Sequence, residues 1–232
     1  MIIYMLSISK LLKKTGHQIF LNILTVLGVS ICWSLFIVPA IFLLPIQWAI
    51  VFLILTFIPS TTAAYAVMHH VLEGKKYKFG MFLKSFLRYY RRAFLLGLVY
   101  SLAVLIPLSE WWYYFTINHS YFIFIFSVFQ TYLCLTFLAT QVYAIPMLVL
   151  KDCKMLAAMN QSIKEFMGHT WYTIGLFIQI LCITVLISFT VIGFFLLFIG
   201  MLAVFVLNAT RNLELDKKKE TIIEKSRIEQ TV

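Results

Sequence analysis

"HQIFLNILTVLGVSICWSLFIVPAIFLLPIQWAIVFLILTFIPSTTAAYAVMHHVL", residues 17–72, holds 56 positions without an Asp, Glu, Lys or Arg. A helix crosses the hydrocarbon core of a bilayer in about 20 residues, so this stretch is long enough for two crossings. Pro39 and Pro45 stand near its middle, and proline has no N–H with which to continue a helix. The stretch predicts a helical hairpin turning around Leu44-Pro45-Ile46.

Three further stretches lack these charges: residues 93–109, 111–150 and 166–210. The first predicts one short span, and residues 121–150 predict another. The last would be about 68 Å long as one straight helix at 1.5 Å per residue, so it must fold back, near residues 189–193. The fold class is therefore all-α: a polytopic membrane protein with six transmembrane helices arranged as three hairpins. Composition agrees, with 62% hydrophobic and 12% charged residues among 232 and a mean hydropathy of +0.94. Soluble domains average about 45–50% and about 25%. The first apolar run, residues 19–46, exceeds a signal-peptide core and no A-x-A-like site follows it, which predicts a retained N-terminus.

The net charge is +10, and its placement sets the orientation. Lys10, Lys13 and Lys14 precede the first span; Lys75, Lys76, Lys78, Lys84, Arg88, Arg91 and Arg92 lie between the second and third. Lys151, Lys154 and Lys164 follow the fourth, and the rest lie beyond Thr210. A six-span chain puts all 19 on one side, which predicts both termini in the cytoplasm. The expected partner of this charge is a bilayer with an anionic inner leaflet, which attracts each basic residue by about 1 kcal/mol, rather than nucleic acid. Lys75, Lys76, Lys84, Arg88, Arg91 and Arg92 are the candidate headgroup-binding face.

Each predicted hairpin is preceded by a segment with apolar residues at helical spacing. Tyr4, Met5, Ile8, Leu11, Leu12 and Thr15 form the first stripe, and Phe79, Phe82, Leu83, Phe86, Tyr90, Ala93 and Phe94 the second. Met155, Leu156, Met159, Ile163, Phe166 and Met167 form the third. Basic amphipathic helices of this kind lie in the membrane interface. Their joints to the spans fall near His17, Ala93 and His169, evenly spaced by 76 residues. The chain divides into one transmembrane domain, 1–210, built of units 1–76, 77–152 and 153–210, and a charged cytoplasmic tail, 211–232, partly helical or disordered until bound.

Little in the chain carries chemistry. The cysteines, Cys32, Cys134, Cys153 and Cys182, form no C-x-x-C pair and read as reduced thiols. His69, His70 and His169 stand at the cytoplasmic boundary without a third metal ligand, and no nucleotide, zinc-protease or hydrolase motif occurs. No enzyme activity, metal or cofactor is expected. No Asp, Glu, Lys or Arg lies within a predicted span, which argues against an ion-coupled pump. Asn22, Gln130, Gln141 and Gln179 are the polar residues at depth, read as interhelical hydrogen-bonding groups or as the lining of a polar cavity. On the outer side, residues 109–120 predict a loop with Glu110, Trp111 and Trp112, either an interfacial aromatic belt or a sugar-stacking platform. Asn118-His119-Ser120 matches a glycosylation acceptor.

Pro59 stands near the middle of the second span and removes the partner of the Leu55 carbonyl. An unsatisfied carbonyl in hydrocarbon costs several kcal/mol, and the hydroxyls of Ser60, Thr61 and Thr62 are the nearest replacements. Ala63, Ala64 and Ala66 then permit close helix packing. The stretch reads as a kinked packing helix or as a bend that presents backbone to a solute or partner.

Asn22, the segment Pro59-Ser60-Thr61-Thr62-Ala63, Glu73-Gly74, and the aromatic and basic set Phe82, Phe86, Arg91, Arg92 and Phe94 together resemble the YesL-like bacterial membrane proteins, a family defined by a domain of unknown function. His69-His70 stands where that family would have a basic residue. The resemblance implies a Gram-positive plasma membrane and genomic company with carbohydrate uptake transporters and glycan-degrading enzymes, and it implies no catalytic residues. The expected function is a non-enzymatic accessory or regulatory partner of a carbohydrate uptake system, with permease subunits as partners. The alternatives are a small-solute facilitator whose path passes Pro59 and a lipid-organising structural protein.

Overall fold

The computed structural model describes the backbone of residues 8–117 and 119–231, and side chains within 10–216. Tyr4 and Met5 of the first stripe, and Asn118, lie outside the described residues. The chain folds into α1 (Ile8–Leu21), α2 (Ile23–Leu43), α3 (Ile46–Leu72), α4 (Phe79–Thr116), α5 (Tyr121–Thr140), α6 (Ala144–Leu150), α7 (Met155–Gly168), α8 (Thr170–Ser188) and α9 (Val191–Thr231). No strand occurs among the described residues. Six helices, counting residues 121–150 once, are long and apolar enough to cross a membrane.

α2 and α3 meet at Leu44-Pro45, where Pro45 opens α3 and its carbonyl accepts the first bond, from the Ala49 N–H. α3 packs against α2, α4, α6 and α9 and so occupies the middle of the bundle. The contacts are close where side chains are small. A Cβ at Gly97 of α4 would stand 3.1 Å from the Ile58 Cβ of α3. A Cβ at Gly200 of α9 would stand 2.7 Å from the Val26 carbonyl oxygen of α2. Trp33, fully buried, locks α2 to both neighbours: its Nε1 donates to Thr61 Oγ1 of α3 at 3.1 Å, and its ring packs on Phe57, Phe194 and Phe198. α5 and α8 lie at the periphery, with only 6% and 11% of their most apolar windows buried against about half for α2, α3 and α9.

The structure differs from the sequence-based expectation in four places. α4 runs unbroken from Phe79 to Thr116, so no joint occurs at Ala93, which is buried mid-helix. Between residues 81 and 96 the chain has neither Gly nor Pro to end the helix. The same continuity absorbs most of the expected outer loop: Glu110, Trp111 and Trp112 belong to the last turns of α4. The fourth span is interrupted at Gln141–Tyr143, because Pro146 supplies no N–H to the Val142 carbonyl and its ring crowds that position. The third apolar stripe divides: Leu156 and Met167 are more than 70% exposed, Met155 and Met159 pack against buried residues, and Ala158, Ser162 and Glu165 form the buried face of α7.

Candidate functional site

The proline stretch is sealed in protein. Pro59 lies within a continuous α3, and Ser60, Thr62, Ala63 and Ala64 have no exposed surface. The hydroxyls do not serve Leu55, contrary to expectation. Ser60 Oγ donates to the Phe57 carbonyl (3.0 Å), Thr62 Oγ1 to the Ile58 carbonyl (2.9 Å), and Thr61 Oγ1 accepts from Trp33. Each sits one turn after its acceptor, where a helical hydroxyl reaches back more easily than it reaches the carbonyl freed by proline.

The intramembrane amides also differ from expectation. Asn22 ends α1 and donates back to the Gln18 carbonyl (3.0 Å) rather than across helices. Gln130 and Gln179 are half-buried, and Gln141 is 3% exposed. Gln141 Nε2 reaches only its neighbour Thr140, and the Oε1 atoms of Gln141 and Gln179 have no partner among the described residues. The interruption beside Gln141 is repaired from α7. Ser162 Oγ donates to the Thr140 carbonyl (2.6 Å) and accepts from the Tyr143 N–H (3.2 Å), so one hydroxyl serves both loose backbone groups. Tyr143 OH meets Thr173 Oγ1 at 3.0 Å, and Tyr100 OH donates to the Gln141 carbonyl.

The predicted basic face divides in two. Arg88 Nη2 and Arg92 Nη1 each lie 2.7 Å from a carboxylate oxygen of Asp152, and Arg92 also donates to the Asp152 carbonyl. Asp152, at φ +45°, is thereby held in a left-handed turn between α6 and α7. Slight burial pushes the Asp152 carboxyl up, but the two guanidiniums outweigh it and hold it below its usual range. Lys75 pairs with Glu73. Lys76, Lys84 and Arg91 are exposed and form no ion pair among the described residues. On the opposite side, Trp111 Nε1 donates to Thr131 Oγ1 of α5 (2.9 Å) and its ring stacks on Phe115, while Trp112 is exposed.

A recess of about 690 Å³ opens where α3, α6, α7 and α9 converge and is lined by His69, Lys151, Gln161, Glu165, Arg211 and Glu214, with Glu73 at its edge. Arg211 Nη2 lies 2.6 Å from His69 Nδ1. A guanidinium can only donate, so Nδ1 accepts and the imidazole proton sits on Nε2, which faces Glu73 at 3.3 Å. Partial burial pushes the Glu73 carboxyl up, but His69, Lys75 and Arg211 outweigh it and hold it low. Lys151 Nζ pairs with Glu214 at 3.2 Å.

Of these residues the sequence singled out His69, as one of a boundary pair, and Glu73, in the pair Glu73-Gly74. Nothing local in the sequence shows that Lys151, Glu165, Arg211 and Glu214 meet at one place. Ser162 and Glu165 did leave a signal. With Ala158 they form a small and polar face at spacings of four and three, and in a membrane protein such a face turns inward.

Residues 19–111 match the family described as "Protein of unknown function, DUF624". That span takes in α2, α3 and most of α4, and reaches the recess only through His69 and Glu73. No curated protein and no solved structure matches the chain.

Proposed function

We propose that this protein is a non-enzymatic accessory or regulatory partner of a carbohydrate uptake system, seated in a bacterial plasma membrane with both termini in the cytoplasm. One observation carries the non-transporting part of the reading: the proline stretch, the most plausible solute path in the sequence, is a dry packing surface. Ser60, Thr62, Ala63 and Ala64 are fully buried, and their hydroxyls are spent on the helix itself. The carbohydrate part rests on the likeness to YesL-like proteins at Asn22, residues 59–63, Glu73-Gly74 and the aromatic and basic start of α4. The exposed Lys76, Lys84 and Arg91 suit an anionic inner leaflet. The test is a mild-detergent pull-down of tagged protein from its native membrane. Near-stoichiometric permease subunits are the expected result, and recovery of this chain alone would overturn the reading.

A facilitator remains the second reading because of one feature. Discontinuous helices with irregular backbone at membrane depth line solute sites in transporters, and the interruption at Gln141–Tyr143 carries a buried amide oxygen without a partner among the described residues. Solute uptake by the purified protein in liposomes, abolished by Ser162→Ala, would favour it over the accessory reading; uptake unchanged by Pro59→Ala would remove Pro59 from any path.

A further inference from the structure

We propose that the groove between α1, α8 and α9 is a binding site for an anionic phospholipid, with one acyl chain in the groove and the headgroup phosphate on Lys13. The inference does not depend on the accessory reading. The groove holds about 250 Å³ and is lined by Leu12, Gly16 and Ile19 of α1, Ile183 of α8, and Met201 and Phe205 of α9. Thr15, a polar residue of the lining, is already engaged, since its hydroxyl accepts from Asn208 Nδ2 at 3.3 Å. The walls therefore call for an apolar occupant. Gly16 makes the room, because nothing stands within 4 Å of the Cβ it lacks. Asn208 also donates to Gln18, so two residues of α1 are tied to α9 and the groove between them is fixed.

Depth and charge identify the occupant. Arg211 marks the charged boundary of α9. Phe205 and Met201 lie six and ten residues inward of it, about 9 and about 15 Å at 1.5 Å per residue. That is acyl-chain depth in a hydrocarbon core about 30 Å thick. α1 runs inward toward α2, and Thr15 meets Asn208 three residues from Arg211, so Lys13 stands at headgroup level. Lys13 is exposed and lies three residues before Gly16, which makes the two neighbours on the helix surface. No carboxylate from these helices opposes it, because residues 1–72 and 166–213 contain no Asp or Glu. A phosphate there meets uncompensated positive charge, and its chain enters where Gly16 has no side chain. A partner helix, about 10–12 Å across, is too wide for a groove of this volume, whereas a single hydrocarbon chain fits. The chain supplies packing rather than a hydrophobic gain, since lipid tails are as apolar as the groove, and Lys13 supplies the preference for a negative headgroup.

The test counts lipid on the intact protein. The full chain is purified in maltoside micelles, and native mass spectrometry follows retention of added dioleoyl phosphatidylglycerol or dioleoyl phosphatidylcholine, with the unfolding midpoint measured alongside. Saturable retention of phosphatidylglycerol is expected, with phosphatidylcholine held about fivefold more weakly, the equivalent of about 1 kcal/mol for one basic residue. Gly16→Leu fills the groove without a clash at Cβ, and leucine is the better helix former. It should abolish retention and leave the lipid-free midpoint at or above that of the native protein. Ile183→Phe narrows the groove from the α8 wall and serves as the second variant should Gly16→Leu fail to fold. Lys13→Gln should weaken retention of phosphatidylglycerol about fivefold and bring it level with phosphatidylcholine. Lys84→Gln, which removes an exposed charge from α4, should change nothing. Equal retention of the two lipids by the native protein, retention that survives both groove-filling variants, or a Lys13→Gln effect no larger than that of Lys84→Gln would overturn the proposal. So would a dimer that Gly16→Leu dissociates, because the groove would then belong to a second copy.

Discussion

Gly200 decides how closely α9 can approach α2. Its N–H donates to Ser30 Oγ at 3.1 Å, and any Cβ there would collide with the Val26 backbone. A helical glycine ordinarily costs about 1 kcal/mol relative to alanine, so Gly→Ala in a helix is a stabilising change wherever space permits. Gly16 in α1 has nothing within 4 Å of its would-be Cβ. Gly16→Ala should therefore raise the unfolding midpoint in detergent slightly, whereas Gly200→Ala should lower stability by about 1–3 kcal/mol, the usual cost of overpacking. Equal effects of the two would show that the α2–α9 contact is not a tight one. Ser162 is the other residue whose removal should be costly. Ser162→Ala leaves the Thr140 carbonyl and the Tyr143 N–H unpaired inside the protein, at about 1–3 kcal/mol. Ser188→Ala, which removes an exposed hydroxyl bonded only to Thr184, should be nearly neutral by the same thermal measurement. The role of Gly200 could not be read from sequence, because a glycine in an apolar helix looks the same whether a backbone or a lipid chain faces it. Pro146 differs: a proline five residues before the Lys151 boundary is a legible mark of the interruption, and only the unbroken apolar run around it hides the break.

Among the elements, α4 and the turn between α6 and α7 are joined by charge. Arg88 and Arg92 stand four residues apart, on one face of α4, and close on a single carboxylate. The sequence shows that face as a cationic stripe for lipid headgroups; half of it is instead committed within the protein, since Asp152 lies some sixty residues away and spacing cannot reveal it. Asp152→Asn isolates the charge, because Asn tolerates a left-handed turn as well as Asp does. The variant should lose no more than about 1 kcal/mol at neutral pH, the ceiling for ion pairs this exposed, and less in high salt. The pH dependence has a definite sign. A carboxyl held below its usual range contributes stability above its unfolded pKa, and that contribution is lost as pH falls through the lower folded value. The difference between native protein and Asp152→Asn should therefore be constant from neutral pH down to about 4 and shrink only below it. A difference that disappears between pH 7 and 5 would assign the effect to another group, such as a histidine.

For the molecule as a whole, the parts legible in the sequence are those fixed by the bilayer. Six apolar stretches give six helices of spanning length because hydrocarbon thickness sets a minimum that no tertiary contact can change. The recess was illegible for the opposite reason: it exists only where α3, α6, α7 and α9 meet, and each stretch contributes one or two charges that look solvated alone. Orientation stands apart from both, since every internal contact described above would be unchanged if the protein were turned over in the membrane. Only the surrounding charge distinguishes the two states, and the argument is quantitative. Basic residues near the surface gain about 1 kcal/mol each from the anionic leaflet. Lys76, Lys84 and Arg91 alone, exposed and without ion pairs among the described residues, outweigh the single Glu110 at the other end of α4. Single cysteines in a background with Cys32, Cys134, Cys153 and Cys182 replaced by serine or alanine would decide it. A membrane-impermeant maleimide applied to intact cells should label His119→Cys and spare Lys84→Cys, and permeabilisation should expose the second. The reverse pattern would place the basic face and the recess outside the cell, out of reach of an anionic inner leaflet.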